Sequence, residues 1–285
     1  MQVTTTVADT RAALDGARRA GRTVGLVPTM GFLHEGHLSL ITRARAECDV
    51  VAVTIFVNPL QFGAGEDLAT YPRDLERDSA MAEASGADLV FAPAVEEMYP
   101  AAPLTSVVVA GLSGSMEGAT RPTHFAGVAT VVAKLFNVAG PCRAYFGEKD
   151  FQQLVVIRTM VTDLSFDVVV VGCPIVREPD GLARSSRNSY LTTDERAAAP
   201  VLHRALVAGV DAVVGGERDP AVVKALVADR VAAEPRADLD YVELVDPETL
   251  DPVERLAGES RLLAAVRFGR ARLLDNLSVL VPEQG

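Results

Sequence analysis

The chain has 285 residues, 49% of them hydrophobic, and a mean hydropathy of +0.21, which is enough apolar material for one large domain or two modest ones. Aromatic residues make up only 5% and Trp is absent, so Ala, Val and Leu must do most of the packing. A formal net charge of −11 opposes binding to nucleic acid or to an anionic membrane, both of which call for a basic surface.

In chain order, short apolar runs suited to buried strands fall at Val24–Val27, Val50–Val57, Leu89–Phe91, Ala144–Phe146 and Val168–Val171. Helical spacing of apolar residues occurs between them, at Ser39–Glu47, Leu75–Ser85, Phe125–Val138 and Gln152–Asp163. Alternation of this kind predicts an α/β domain built on a doubly wound parallel sheet. The pattern changes near residue 177, where Arg177-Glu178-Pro179-Asp180-Gly181 reads as a polar turn. Two helical segments follow, Asp194–Val214 and Pro220–Ala233, and then three strand candidates, Tyr241–Val245, Arg261–Arg267 and Ala271–Val281. The expected organisation is therefore a first domain over residues 1–176 and a smaller α+β domain over 177–285.

Cys48, Cys142 and Cys173 form no Cys-x-x-Cys pair, and their number is odd. Reduced thiols in a cytoplasm are the simplest account. The N-terminus carries Asp9 and Asp15 and no continuous apolar segment, so no signal peptide is expected. Nor does any apolar run approach the roughly 18 residues that a membrane span requires.

The stretch from Pro28 to Leu40 compresses a strand end, a glycine-bearing turn and a helix start. The first turn of a helix presents unpaired N–H groups and a positive dipole end, a natural seat for phosphate. His34 and His37, three apart, can face the same side of that turn. Imidazolium groups there would neutralise charge developing during attack on an α-phosphorus. Gly36 between them would let a ligand approach the backbone closely. A zinc site is the competing account, but the helical zinc motif His-Glu-x-x-His spaces its ligands four apart.

Two further segments carry candidate chemistry. In Tyr145 to Leu154, Gly147 sits at a turn, Lys149 can deliver a point charge to phosphate, and Asp150 can accept from ribose hydroxyls or cap a helix. A plain N-cap flanked by solvated charges would explain the same residues. In Asp180 to Leu191, hydroxyls and the Arg187 fork suit a polyphosphate, although a surface loop leading into a helix would look alike. The turn holding the histidines, the segment Asn58–Gln61 and the segment Gly147–Asp150 each follow a strand candidate. They should therefore gather at the carboxyl edge of the sheet, where such folds bind ligands.

Six blocks together resemble the pantothenate synthetase (pantoate–β-alanine ligase) family, within the nucleotidyltransferases that share a His-x-Gly-His motif. They are Pro28 to His37, Phe56 to Phe62, Arg121 to Val128, Phe146 to Gln153, Asp180 to Leu191 and Ala271 to Leu277. The resemblance implies a Rossmann-like ATP- and pantoate-binding domain followed by a lid domain. It implies ATP-dependent condensation of pantoate with β-alanine through pantoyl adenylate, with release of AMP and pyrophosphate. On this basis His34, His37 and Lys149 are the catalytic residues. ATP contacts are implied for Met30, Gly31, Phe32, Leu33, His34, Glu35, Gly36, His37, Gly147, Glu148, Lys149, Asp150, Val176, Arg184, Ser185, Ser186 and Arg187. Gln61, Gln153 and Asn58 are the implied pantoate residues. Magnesium is expected with ATP, without named ligands, and the family implies a homodimer.

One departure stands out: Arg184 occupies a position where the family usually has methionine or another apolar residue. Two other classes share parts of the pattern. A nucleotidylyltransferase that joins AMP to a phosphate would share the His motif but would not need the Asn58–Gln61 block. A non-catalytic nucleotide-binding protein would leave His34, His37 and Lys149 together without a task.

Overall fold

A computed structural model describes residues 1–63, 65–66 and 68–281. Its compactness divides the chain into two units. One comprises Met1–Glu148 with Gln152–Pro174; the other joins Lys149–Phe151 to the chain from Ile175 onward.

The first unit carries six strands: β1 (Gln2–Thr4), β2 (Val24–Thr29), β3 (Val50–Ile55), β4 (Leu89–Phe91), β5 (Cys142–Gly147) and β6 (Val168–Cys173). They form one sheet in the order β1-β4-β3-β2-β5-β6, with every pairing parallel. Its longer helices are α1 (Val7–Arg19), α2 (Glu35–Glu47), α3 (Leu75–Ala84), α6 (His124–Ala139) and most of α7 (Phe151–Asp163), with two single-turn helices, α4 (Val95–Met98) and α5 (Glu117–Thr120). A parallel sheet covered on both faces needs apolar residues on both, which is why β2 and β3 read as near-continuous hydrophobic runs. Successive residues point to opposite faces. Leu26 and Ala52 join one core with Phe91, Val132 and Phe136, while Val27, Val51 and Val53 join another with Leu40, Ile41 and Ala82.

From β2 the chain builds outward through β3 and β4; from β5 it builds the other way to β6. The order therefore reverses between β2 and β5, the switch point at which an open α/β sheet leaves a crevice beyond its carboxyl ends.

The second unit is α+β. It contains α8 (Thr193–Ala198), α9 (Val201–Val214), α10 (Pro220–Ala232) and an antiparallel sheet of β7 (Asp238–Val245), β8 (Glu259–Phe268) and β9 (Ala271–Leu280) in sequential order. Its core joins Leu202, Leu206 and Val213 of α9 and Val223, Val227 and Val231 of α10 to Leu262, Val266 and Phe268 of β8.

Four departures from the sequence reading have physical reasons. The strand β1 and helix α1 are additional; β1 is three residues long and only Thr4 of it is buried, so it carries almost no hydrophobic signal. Helix α2 begins at Glu35, four residues before the expected Ser39, because His34 caps it. The segment expected as one helix over Asp194–Val214 divides at Ala199–Pro200, since proline cannot donate the N–H that a helix interior requires. Finally, the 22 residues Thr193–Val214 contain an 18-residue window of mean hydropathy 1.5, long and apolar enough by composition to span a membrane despite the break at Ala199–Pro200, where no such run was expected. Half of its most apolar window is buried, and α9 supplies much of the second unit's core.

Candidate active site

Beyond β2 the chain makes a tight turn over Met30–Leu33. Gly31 and Phe32 are both left-handed, with φ of +85° and +49°. Glycine tolerates this and phenylalanine does not, so something must hold the turn. That something is Asp78 of α3, whose side chain is buried. Its carboxylate accepts from the backbone N–H of Phe32 at 2.6 Å and of Leu33 at 2.8 Å. Arg77 completes the clamp, with Nη1 at 3.2 Å from Asp78 and Nη2 donating to the Leu33 carbonyl at 2.9 Å. Space is tight here: a Cβ on Gly31 would lie 3.0 Å from both Asp78 Oδ2 and Ile55 Cγ2.

The two histidines then cap α2. His34 Nδ1 accepts from the Gly36 N–H at 3.1 Å, and His37 Nδ1 accepts from the His34 N–H at 3.3 Å. Their rings lie 4.0 Å apart between centroids. With Nδ1 turned to a backbone N–H in each ring, Nε2 is the ring nitrogen placed to donate, beside the positive end of α2, which is anion-binding geometry.

Beyond β3, Pro59–Gln61 forms a single 3₁₀ turn capped by Asn58. The Asn58 amide is buried and fully engaged. Its Oδ1 accepts from Leu60 N and the Tyr99 hydroxyl, and its Nδ2 donates to Gln61 Oε1 and the Gly127 carbonyl, both at 3.1 Å. Asn58 thus orients Gln61, whose Nε2 lies 2.9 Å from Met30 Sδ. The Gln61 carbonyl faces His124 Nδ1 at 3.0 Å and Arg121 Nη2 at 3.2 Å. Arg121 also pairs with Glu66, holding that carboxyl below its usual range. Burial pushes the Tyr99 hydroxyl up to about 12, so it stays a donor throughout the neutral range. Helix α6 approaches so closely that a Cβ on Gly127 would stand 2.2 Å from the Leu60 carbonyl oxygen.

The segment after β5 separates its two glutamines. Gln152 is buried and holds the loop 112–117 through Glu117 N, Leu112 O and Ser115 O; Gln153 is half-buried. Gly147 ends β5, and Glu148 begins a single 3₁₀ turn through Asp150. Lys149 Nζ lies 3.3 Å from Asp150 Oδ1.

In the second unit, Val176 accepts from the Arg184 N–H at 2.9 Å, and Arg177 bridges Ala183, so Arg177–Arg184 closes as a compact turn. Ser185 caps the 3₁₀ helix Ser186–Tyr190 by accepting from Arg187 N. Arg184 lies with Nη1 3.6 Å from Glu178, a carboxylate that Arg196 also takes at 2.7 Å.

Asp78, Tyr99, Arg121, His124 and Gln152 went unassigned by sequence reasoning. Arg121 and His124 lay inside a recognised block, but nothing in the chain marks a buried carboxylate such as Asp78 before its partners are known.

A family model described as pantoate-beta-alanine ligase matches residues 2–278. The chain belongs to that family. It is 58% identical over 263 residues to the pantothenate synthetase of Heliobacterium modesticaldum, covering 92% of this chain and 94% of that one. Against the pantothenate synthetase of Sinorhizobium medicae it is 56% identical, with 99% and 97% covered. Among solved structures, the pantothenate synthetase of Thermus thermophilus superposes with a TM-score of 0.92 at 52% identity, covering 97% of this chain and 99% of that one. The pantoate-beta-alanine ligase of Francisella tularensis, complexed with β,γ-ATP and β-alanine, gives 0.79 at 31% identity, with 97% of each covered. Membership makes the chain a ligase, and its six-stranded parallel sheet with a smaller antiparallel sheet matches the solved structures of that family.

Proposed function

We propose that this chain condenses pantoate with β-alanine, using ATP and releasing AMP and pyrophosphate, through a bound pantoyl adenylate. The pantoate carboxylate attacks the α-phosphorus and the bond to the β-phosphate oxygen breaks, so pyrophosphate leaves with the electron pair. The unprotonated β-alanine amine nitrogen then bonds to the acyl carbon, the acyl–oxygen bond breaks, AMP departs with the electron pair, and the nitrogen gives up one proton to solvent. A mixed anhydride is required because a free carboxylate is a poor electrophile, and water must be kept from it.

The single observation that carries this reading is the pair His34 and His37 capping the N-terminus of α2, beside the sheet's switch point. Donors fixed before the reaction stabilise the charge that develops on the transferring phosphoryl group. Lys149 adds a formal positive charge. Gln61 and Gln153 take the pantoate oxygens, with Asn58 orienting Gln61. Met30, Gly31, Phe32, Leu33, Glu35, Gly36, Gly147, Glu148, Asp150, Val176, Ser185, Ser186 and Arg187 serve the nucleotide.

Magnesium enters with the nucleotide as part of the substrate. Among the described residues no group of three or more His, Cys, Asp or Glu side chains gathers as a ligand set. That fits an ion held chiefly by phosphate oxygens and water. Three free thiols suit a reducing cytoplasm, and the family resemblance favours a homodimer.

Product analysis tests the reaction. ATP, pantoate and β-alanine should yield AMP and pyrophosphate, and ATP–pyrophosphate exchange should need pantoate but not β-alanine. Stoichiometric ADP and phosphate would overturn it.

A further inference from the structure

The block Ala271–Leu277 matches the family but lies on β9, and the chemistry above gives it no task. Two polar residues in it, Asp275 and Asn276, are buried at 3% and 1% exposure. Along the same strand Leu273 and Val279 are ordinary core. Leucines at 275 and 276 would suit such a strand better than a carboxylate and an amide, because buried polar groups are tolerated only when their partners are in place. The partners explain the choice.

Asn276 Nδ2 donates to the backbone carbonyl of Lys149 at 2.9 Å. Its Oδ1 accepts from Arg261 Nε at 2.7 Å, and the Arg261 guanidinium lies 4.2 Å from the centre of the Phe151 ring. Both ends of the segment Lys149–Phe151 are therefore gripped from β8 and β9. Asp275 faces the other way. It takes Arg177 in a two-pronged ion pair at 2.6 and 2.8 Å, and Arg177 Nη1 also donates to the Gly181 carbonyl at 3.0 Å. His203 Nδ1 stands 3.6 Å from the same carboxylate, and it packs so closely on Gly181 that a Cβ there would lie 2.3 Å from its Cδ2. Arg177 is the base of the turn that leads into Ser185–Arg187.

We propose that Asp275 and Asn276 are positioning residues, which set the backbone of Lys149 and the Arg177–Arg187 turn from one strand. Neither touches a reacting atom. Asn276 acts through Lys149, and Asp275 acts through Arg177. The inference rests on the role given to Lys149 under the proposed function, and the test separates the two.

The experiment is a double-variant cycle on the full chain, read by pantoate-dependent ATP–pyrophosphate exchange and by pantoate binding. Asn276→Asp keeps the size of the side chain and an acceptor for Arg261, but sets an oxygen against the Lys149 carbonyl. It should lower the exchange rate by about tenfold or more while leaving pantoate affinity within about twofold. In a Lys149→Ala background the same change should add less than about twofold, because residues acting through one another do not add. A near-normal exchange rate in Asn276→Asp, or a full multiplicative loss in the double variant, overturns the proposal. Where Asn276→Asp does not fold, Asn276→Ser removes the amide donor without the new charge and is read by the same criteria. Normal exchange in Lys149→Ala alone would instead sink the role of the lysine.

Discussion

The turn Met30–His37 and the turn Arg177–Arg187, both proposed to serve ATP, are held in opposite ways. The first is fixed by side chains of helices α2 and α3 in its own unit. Asp78 accepts from two of its N–H groups, and each histidine accepts one more, so a left-handed pair at Gly31–Phe32 is over-determined on every side. The second closes on itself through short backbone bonds, but its base is fixed by Asp275, 98 residues further along the chain. Donors meant for a developing charge are best when they do not move. A loop that covers phosphate must admit and release nucleotide, and a single distant ion pair suits that need better than a strained, many-handed clamp.

Substitutions can break this contrast. The largest effect should come from His37→Ala or Lys149→Ala, each lowering pantoate-dependent exchange by about 10²–10³-fold, the usual loss for one fixed donor to a developing oxyanion. Neither side chain packs in the core, so the melting temperature should scarcely change for Lys149→Ala and should fall by about the cost of a lost helix cap, ~1 kcal/mol, for His37→Ala. An intermediate effect is expected for Asp78→Ala. It leaves the N–H groups of Phe32 and Leu33 without their acceptor, at about 1–3 kcal/mol for each unsatisfied group. Both the thermal midpoint and the exchange rate should drop. A variant that melts lower but keeps its exchange rate would show that the clamp serves stability alone.

Smaller effects sharpen the second half of the comparison. Arg187→Ala should weaken ATP use clearly, since its fork matches phosphate. Arg184→Met should change kcat/KM for ATP by less than about tenfold, roughly 1.4 kcal/mol, because a carboxylate of the protein, Glu178, already stands beside the guanidinium. Equal damage from the two substitutions would make Arg184 a nucleotide ligand.

Much of this was legible in the sequence. Alternating apolar runs gave away the parallel sheet because strands buried on both faces have no polar side to hide them. The motif around His34 was readable because capping, glycine and strand end are all local events. What could not be read was distance. Asp78 looks like any acidic residue in the first turn of a helix, and only the fold brings it beneath Phe32. Gln152 and Gln153 are identical in composition and adjacent in order; burial alone tells the one that braces a loop from the one left half-exposed. Ala199–Pro200 was legible as a proline but was outweighed by the helical period around it. Asn276 is the extreme case, since its partner lies 127 residues earlier.

The grouping of Lys149–Phe151 with the chain from Ile175 onward bears on how the protein can be dissected. A fragment cut after Pro174 would keep every strand of the parallel sheet and the lysine itself. It would lose Asn276, Arg261 and the strands that bear them. The boundary between the units is therefore not a line on which a gene can be divided: a swap of C-terminal halves among relatives also exchanges the mounting of a residue that remains behind.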